Sequence, residues 1–282
     1  MTKAEISVIV PLFNKEKIVE QTVRSVLVQT FSNFELIIID DGSTDGSVSI
    51  VRQIDDQRIK LISQKNMGPS AARNTGVRNA NTGWIVFLDA DDELLPNALN
   101  HFSELKEQYG TIDIFDCSSI VRSKGKKHLR VNPIEGVIDN PLKECFYGKI
   151  GPGSGHAMFR KSLLKQFPYD ECLRRFEDAE LIIRILTHAK VYSSKEPTFI
   201  INSEFSSAST KRKDIAEDYA GHLSFKGKSF WAKMCVFRTY LENRDLYPEE
   251  MRKLYPMWRY RYDLLILYKL LYKLKSQQIC ID

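Results

Sequence analysis

The sequence predicts an α/β protein: a mostly parallel sheet flanked by helices and continued by a helical C-terminal extension. Three observations predict it. Strand and helix signals alternate through the first half, the pattern of successive βαβ units. Strands in that half end in loops rich in Asp, Asn, Gly and Ser, at the edge where open α/β sheets bind ligands. Beyond Ser206 the apolar spacing turns helical and stays so to the C-terminus.

Ile6 to Val10 is an apolar, β-branched strand expected to stop at Pro11. Ile18, Val19, Thr22, Val23, Val26 and Leu27 then recur at helical spacing. Phe34 to Ile39 forms a second strand running into Asp40-Asp41-Gly42-Ser43-Thr44-Asp45, where Ser43 or Thr44 would cap a helix to Arg52. Ile59 to Ser63 is a third strand, followed by a helix over 70–79. Trp84 to Leu88 is apolar throughout and reads as a strand buried on both faces. Farther on, 113–121 and 136–138 predict strands around the basic turn 124–127. A Gly-rich loop over 148–155 leads to a strand at 157–159 and a helix at 161–165. Glu177-Asp178-Ala179-Glu180 opens an amphipathic helix with Leu181, Ile182, Ile185 and Leu186 inward.

With 282 residues, 43% hydrophobic and 27% charged, the chain can bury a large core and is not disordered. No apolar run reaches the roughly 18 residues of a membrane-spanning helix. The first strand begins without an apolar signal region, which predicts a cytoplasmic rather than a secreted protein. Cys117, Cys145, Cys172, Cys235 and Cys280 are odd in number and scattered, which suits a reducing compartment and neither a disulfide framework nor a zinc site. Residues 211–282 hold 15 Lys and Arg against 9 Asp and Glu, net +6, so the basic surplus behind the overall +5 lies in the tail. The remainder is slightly acidic, which argues against nucleic acid as a partner.

Asp89, Asp91 and Asp92 follow directly on the buried 84–88 strand, where like charges repel unless a cation or hydrogen bonds compensate. Hard oxygen ligands there suit Mg²⁺ or Mn²⁺ bridging nucleotide phosphates; the plainer reading has Asp91 or Asp92 capping a helix near Leu94. Asp40 to Asp45 offers carboxylates to a ribose or base edge, or is simply a well-capped turn. Arg73 falls in the first turn of a helix, beside the positive end of the dipole. It would reach a phosphate or base carbonyl, or pair with Asp40, Asp41 or Asp89. Glu177-Asp178 is explained by helix capping unless a metal-bound leaving group needs a carboxylate base nearby. His156 is an acceptor contact, a group supporting the site, or a structural residue.

The segments Val8-Ile9-Val10-Pro11-Leu12-Phe13-Asn14, Ile39 to Asp45, Asn66-Met67-Gly68 through Arg73-Asn74-Thr75-Gly76, Asp89-Ala90-Asp91 and Glu177-Asp178 occur in the order found in family 2 glycosyltransferases, and the chain resembles that family over about residues 5 to 205. The resemblance implies a GT-A fold, a Rossmann-like mostly parallel sheet, and an inverting transferase using a nucleotide-sugar donor, most often UDP-linked, with Mn²⁺ or Mg²⁺. It implies a catalytic domain over 1–205, with a nucleotide-binding half (1–110) and an acceptor half (111–205), followed by the extension 206–282. Carried over residue by residue, Pro11, Phe13 and Asn14 would sit on the nucleotide, Asp41 would meet the base, and Arg73 would approach the base or diphosphate. By the same resemblance Asn66, Gly68 and Ala90 would line the donor site. Asp91 would bind the metal with Asp89 beside it, near the ribose. Asp178 would be the catalytic base with Glu177 as its neighbour. Phe13 departs from the usual tyrosine but keeps a ring for stacking.

The expected acceptor is a hydroxyl of a glycan or lipid-linked glycan in cell-surface polysaccharide synthesis. A sugar nucleotidyltransferase would need a Gly-rich triphosphate loop, and residues 11–17 contain no Gly. A catalytically inactive nucleotide-sugar-binding or assembly protein is the reading from another class; joint retention of Asp91 and Asp178 argues against it. In the tail, residues 258–275 interleave aromatic, basic and aliphatic side chains. That composition fits an interfacial helix on the anionic inner face of a membrane, or a helix packed on the catalytic domain or on a second subunit.

Overall fold

The computed structural model describes residues 4–151, 153, 156–204, 214–258 and 261–278. Pro152, Ser154 and Gly155 of the Gly-rich loop, residues 205–213 with the Lys211-Arg212-Lys213 run, Arg259 and Tyr260 of the tail, and Cys280 lie outside the described residues.

Strands β1 (Ile6–Leu12), β2 (Phe34–Asp40), β3 (Ile59–Ser63) and β4 (Trp84–Phe87) form a parallel half-sheet in the order β3-β2-β1-β4. Helices α1 (Val19–Leu27), α2 (Ser47–Arg52) and α3 (Pro69–Asn79) make the crossovers. β1 runs past the expected stop at Pro11. Its ladder with β4 has ended at the Ile9/Phe87 pair, so on that side no partner needs the N–H that proline lacks. α2 begins at Ser47 rather than after Ser43 or Thr44. The Asp45 carboxylate accepts from the Ser47 N–H and hydroxyl, while Ser43 and Thr44 are drawn to Asn14.

Beyond β4 the sheet becomes mixed. After the short β5 (Glu93–Leu94) and α4 (Ala98–Gln108) come β6 (Ile114–Ser123), β7 (Lys126–Arg130), β8 (Gly136–Ile138), α5 (Pro141–Phe146), β9 (Ala157–Arg160), α6 (Lys161–Gln166), α7 (Glu177–Ile185) and β10 (Val191–Asn202). β9 runs antiparallel between β4 and β6, and β10 runs parallel to β6. Neither Asp91 nor Asp92 caps a helix. The chain makes β5, which pairs with β10, and α4 starts after Asn97.

Strand alternation divides the core between the two faces. Ile9, Ile37, Ile39, Ile85 and Phe87 pack on the α3 side; Val8, Val10, Leu36, Ile38 and Val86 pack against α1 through Val19, Val23 and Val26.

The extension contains α8 (Phe230–Asn243), α9 (Pro248–Leu254) and α10 (Tyr262–Gln278). Of the alternatives for the tail, α10 takes packing on its own chain: the Tyr268 ring lies 5.8 Å from Phe146 and 6.5 Å from Phe237. Ile266 and Leu270 on its other face are exposed. Among the described residues no helix is long and apolar enough to cross a membrane.

Candidate active site

The loops after β1, β2 and β4 and the starts of α3 and α7 meet at one edge of the sheet, and α3 joins them. Ser70 donates to the Leu173 carbonyl at 2.8 Å. Asn74 grips the backbone of Tyr169 from both sides, accepting from its N–H at 3.0 Å and donating to its carbonyl at 2.9 Å. Arg73, buried between them, donates to Asp89 Oδ1 at 3.0 Å and to Glu177 Oε1 at 2.8 Å, and lies 3.8 Å from Asp178 Oδ1. Of the partners expected for Arg73, the structure selects Asp89 over Asp40 and Asp41 and adds Glu177.

The charges explain one another. Burial disfavours a lone guanidinium, but Asp178 and Asp89 raise the Arg73 pKa well above its usual value. Burial, and then the Asp178 charge, push Glu177 up. The Tyr169 hydroxyl, raised by burial and by Asp178, donates to Asp178 Oδ1 at 2.9 Å. Asp178 thus has a fixed orientation and a partly exposed carboxylate.

On the β4 side, Asp91 Oδ2 receives the Lys15 ammonium at 2.6 Å. Burial raises the Asp91 pKa against the pull of Lys15. Asp92 accepts from the Asn202 N–H at 2.8 Å, and burial followed by the Asp89 charge pushes it up to about 8. Ala90, expected at the donor, is buried in the core, and its carbonyl accepts from Thr22 Oγ1 at 3.0 Å. It fixes the loop between the two acids.

The base-side residues divide similarly. Phe13 presents an exposed ring beyond Pro11. Asn14, with φ 52°, accepts from the Thr44 N–H at 2.8 Å. Asp41 is buried, with Oδ1 taken by Gln64 and the Met67 N–H and Oδ2 by the Gly68 N–H at 2.8 Å, so it shapes the 64–68 loop from beneath. Gly68 has φ 92°, and a Cβ there would lie 3.3 Å from Arg174 Cγ. Asn66 Oδ1 accepts from that same Arg174 at 3.1 Å.

Asp89 and Asp91 fit a divalent cation of the magnesium type. Three hard carboxylates crowd one strand end, where burial and then the Asp89 charge raise Asp92, and such ions take few protein ligands when phosphates supply the rest. Among the described residues no three His, Cys, Asp or Glu side chains are grouped to hold an ion unaided.

Comparison with known proteins decides the family. Residues 7–167, more than half of the chain, match the model of glycosyl transferase family 2. The chain belongs to glycosyl transferase family 2. The family match ends before Glu177; the Arg73 contacts bring the acid pair beside Asp89. Relatives include an uncharacterized glycosyltransferase of Rickettsia conorii, 39% identical over 45% of this chain but only 21% of its own length. Another is the GalNAc(5)-diNAcBac-PP-undecaprenol beta-1,3-glucosyltransferase of Campylobacter jejuni, 28% identical over 88% of this chain and 75% of the relative. The chain thus spans about a fifth of the Rickettsia protein and three quarters of the Campylobacter one. The crystal structure of S. aureus TarS 1-349 in complex with UDP-GlcNAc has the same fold, with a TM-score of 0.71 and 20% identity over 86% of this chain and 73% of that one.

Sequence reasoning missed Lys15, Tyr169, Thr22, Asn202 and Arg174 in this family 2 site. Asn202 carried a usable signal, since the apolar run Thr198-Phe199-Ile200-Ile201 ends in Asn and Ser like the earlier strands. The others are isolated residues brought in by tertiary packing.

Proposed function

We propose that this family 2 protein is an inverting, metal-dependent glycosyltransferase. It moves a sugar from a nucleotide-linked donor, in our reading UDP-linked, to a hydroxyl of a glycan or lipid-linked glycan acceptor. The observation that carries the proposal is Arg73, whose one guanidinium touches Asp89 on the β4 loop and Glu177 beside Asp178. One guanidinium thereby holds the acid read as donor-side and the pair read as acceptor-side within a few ångströms of each other. The Campylobacter relative's lipid-linked glycan and the UDP-GlcNAc of the TarS complex support this choice of substrates.

In this mechanism Phe13 stacks on the base, and the 64–68 loop shaped by Asp41 closes around it. Asp91, with Asp89, would hold Mn²⁺ or Mg²⁺, which when bound supplies charge stabilisation for the departing diphosphate. Lys15, which now occupies that carboxylate, would yield it to the ion and add its charge at the donor phosphates. Asp178 takes the proton of the attacking hydroxyl, and the Tyr169 hydroxyl, bonded to its Oδ1, holds that carboxylate in one orientation. Attack opposite the leaving group inverts the anomeric carbon in one displacement. We place the catalytic unit at 1–205 and the work at the cytoplasmic side of the membrane, with the exposed face of α10 available for peripheral contact. Incubation with a UDP-sugar panel, Mn²⁺ and an undecaprenyl-diphosphate-linked glycan, with UDP release and product anomer read by NMR, tests the reading. A retained anomeric configuration, or no release above buffer with any donor, refutes it.

A further inference from the structure

We propose that the helical extension positions the catalytic acid pair through a buried network of Arg175, Asp218, Asn243 and Tyr247, which fixes the turn from which α7 departs. The proposal rests on the reading of Asp178 as the base and adds residues that neither the family match nor any motif covers.

The turn is unusual. Phe176, immediately before Glu177 and Asp178, has φ 56° and ψ 23°, a left-handed conformation that a bulky side chain adopts only when its surroundings over-determine it. The surroundings here come from the extension. The Arg174 N–H donates to the Glu217 carbonyl at 2.7 Å and the Tyr219 N–H to the Arg175 carbonyl at 3.1 Å, so the two segments are zipped on both sides of the turn's first residue. The Arg175 guanidinium lies 4.2 Å from the Phe176 ring centre and covers its face. It donates to Asp218 Oδ2 and, at 2.9 Å, to Asn243 Oδ1 on α8. Tyr247 donates to the same Asp218 oxygen at 2.8 Å, and Asp218 Oδ1 accepts from the Ala220 N–H at 2.9 Å.

Asp218, Asn243 and Tyr247 are wholly buried, and Arg175 nearly so. A buried ion pair gives little net stability compared with apolar packing, but it admits few alternative geometries. That property suits a part whose task is to aim the residues that follow it. If α7 rotated or began one residue later, Asp178 would leave Tyr169 and Glu177 would leave Arg73. The extension therefore acts on the chemistry through Asp178, and its four residues are positioning residues.

The test uses the full chain with Asn243→Ala and Tyr247→Phe, both of which keep the Arg175–Asp218 pair, with a urea midpoint showing each variant folded. Steady-state transfer is measured beside amide hydrogen exchange over 176–181, with α1 as the internal reference. The expected result is about a tenfold loss in kcat with donor KM within about twofold, and faster exchange at 176–181 than in wild type with α1 unchanged. Unchanged exchange at 176–181, equal acceleration in α1, or wild-type kcat overturns the proposal. If the wild-type chain transfers no sugar, the transferase reading fails instead, and the exchange result still decides whether the network holds the turn.

Discussion

Arg73 and Glu177 stand 104 positions apart in the chain and 2.8 Å apart in space. That contact makes the strand end carrying Asp89 and the helix start carrying Asp178 parts of one electrostatic unit. Arg73 supplies the compensating charge that lets three acids crowd one point.

Asp178→Asn keeps the size of the side chain and an acceptor for the Tyr169 hydroxyl but removes the base. We expect kcat to fall about 10²-fold or more while UDP affinity, measured by calorimetry, stays within about twofold. Turnover near wild type would assign the base elsewhere.

Arg73→Met should destabilise the fold by about 3–5 kcal/mol, because it leaves Asp89, Glu177 and Asp178 facing one another without their buried counter-charge. Urea denaturation reads this as a lower midpoint at unchanged slope. A loss below about 1 kcal/mol would mean that the acids rearrange freely.

Lys15→Met frees Asp91 from the ammonium that now occupies it. Mn²⁺ binding without nucleotide should tighten by about two- to fivefold, the range of a partly exposed ion pair, as measured by calorimetry. Weaker Mn²⁺ binding would show that Lys15 supports the cation site rather than competing for it.

The Asp92 carboxyl, pushed up to about 8, gives a pH signature in metal-free buffer. Unfolded Asp ionises near about 3.9, so between these values the unfolded chain gives up a proton that the folded one keeps, and stability falls as pH rises. Asp92→Asn retains an acceptor for the Asn202 N–H and cannot ionise. Its stability, read from urea midpoints, should gain on wild type progressively from about pH 5 to pH 8, by a few kcal/mol, roughly 1.4 kcal/mol per pH unit at most. A difference independent of pH would place the ionised form in the folded state.

Gly76→Ala tests the seat of α3 on the sheet, because a Cβ there would come within 2.3 Å of Ile9 Cγ2. Overpacking of this kind costs about 1–3 kcal/mol, and a lower Tm in calorimetric scans is the expected result.

The parallel half of the fold was legible because each strand is a short apolar run closed by polar turn residues, and each following helix shows its buried stripe in the spacing of residues such as Val19, Val23 and Val26. Asp89, Asp91, Arg73 and the 177–178 pair could be named for the same reason, since they sit at the ends of those elements. β10 was not read as a strand: Ser193, Ser194, Lys195, Glu196 and Pro197 interrupt its apolar pattern, and the register shifts there show that the ladder itself is irregular. Residues such as Lys15 and Tyr169 were invisible because their roles are set by partners 76 and 9 positions away, distances that no local period encodes. The contacts of Asp41 with the Gln64 side chain and the Met67 and Gly68 amides are likewise long-range, and a turn propensity cannot reveal them.

Asn202, the last residue of β10, donates its N–H to Asp92 and its side-chain amide to the Asp91 carbonyl at 2.7 Å. Asp91 and Asp92 therefore cannot slide along the axis of β4 without dragging the terminus of a strand from the opposite half of the sheet. Whatever pushes on that terminus is transmitted as a change in the bite of the acidic loop, so the two halves of the molecule keep a common mechanical reference.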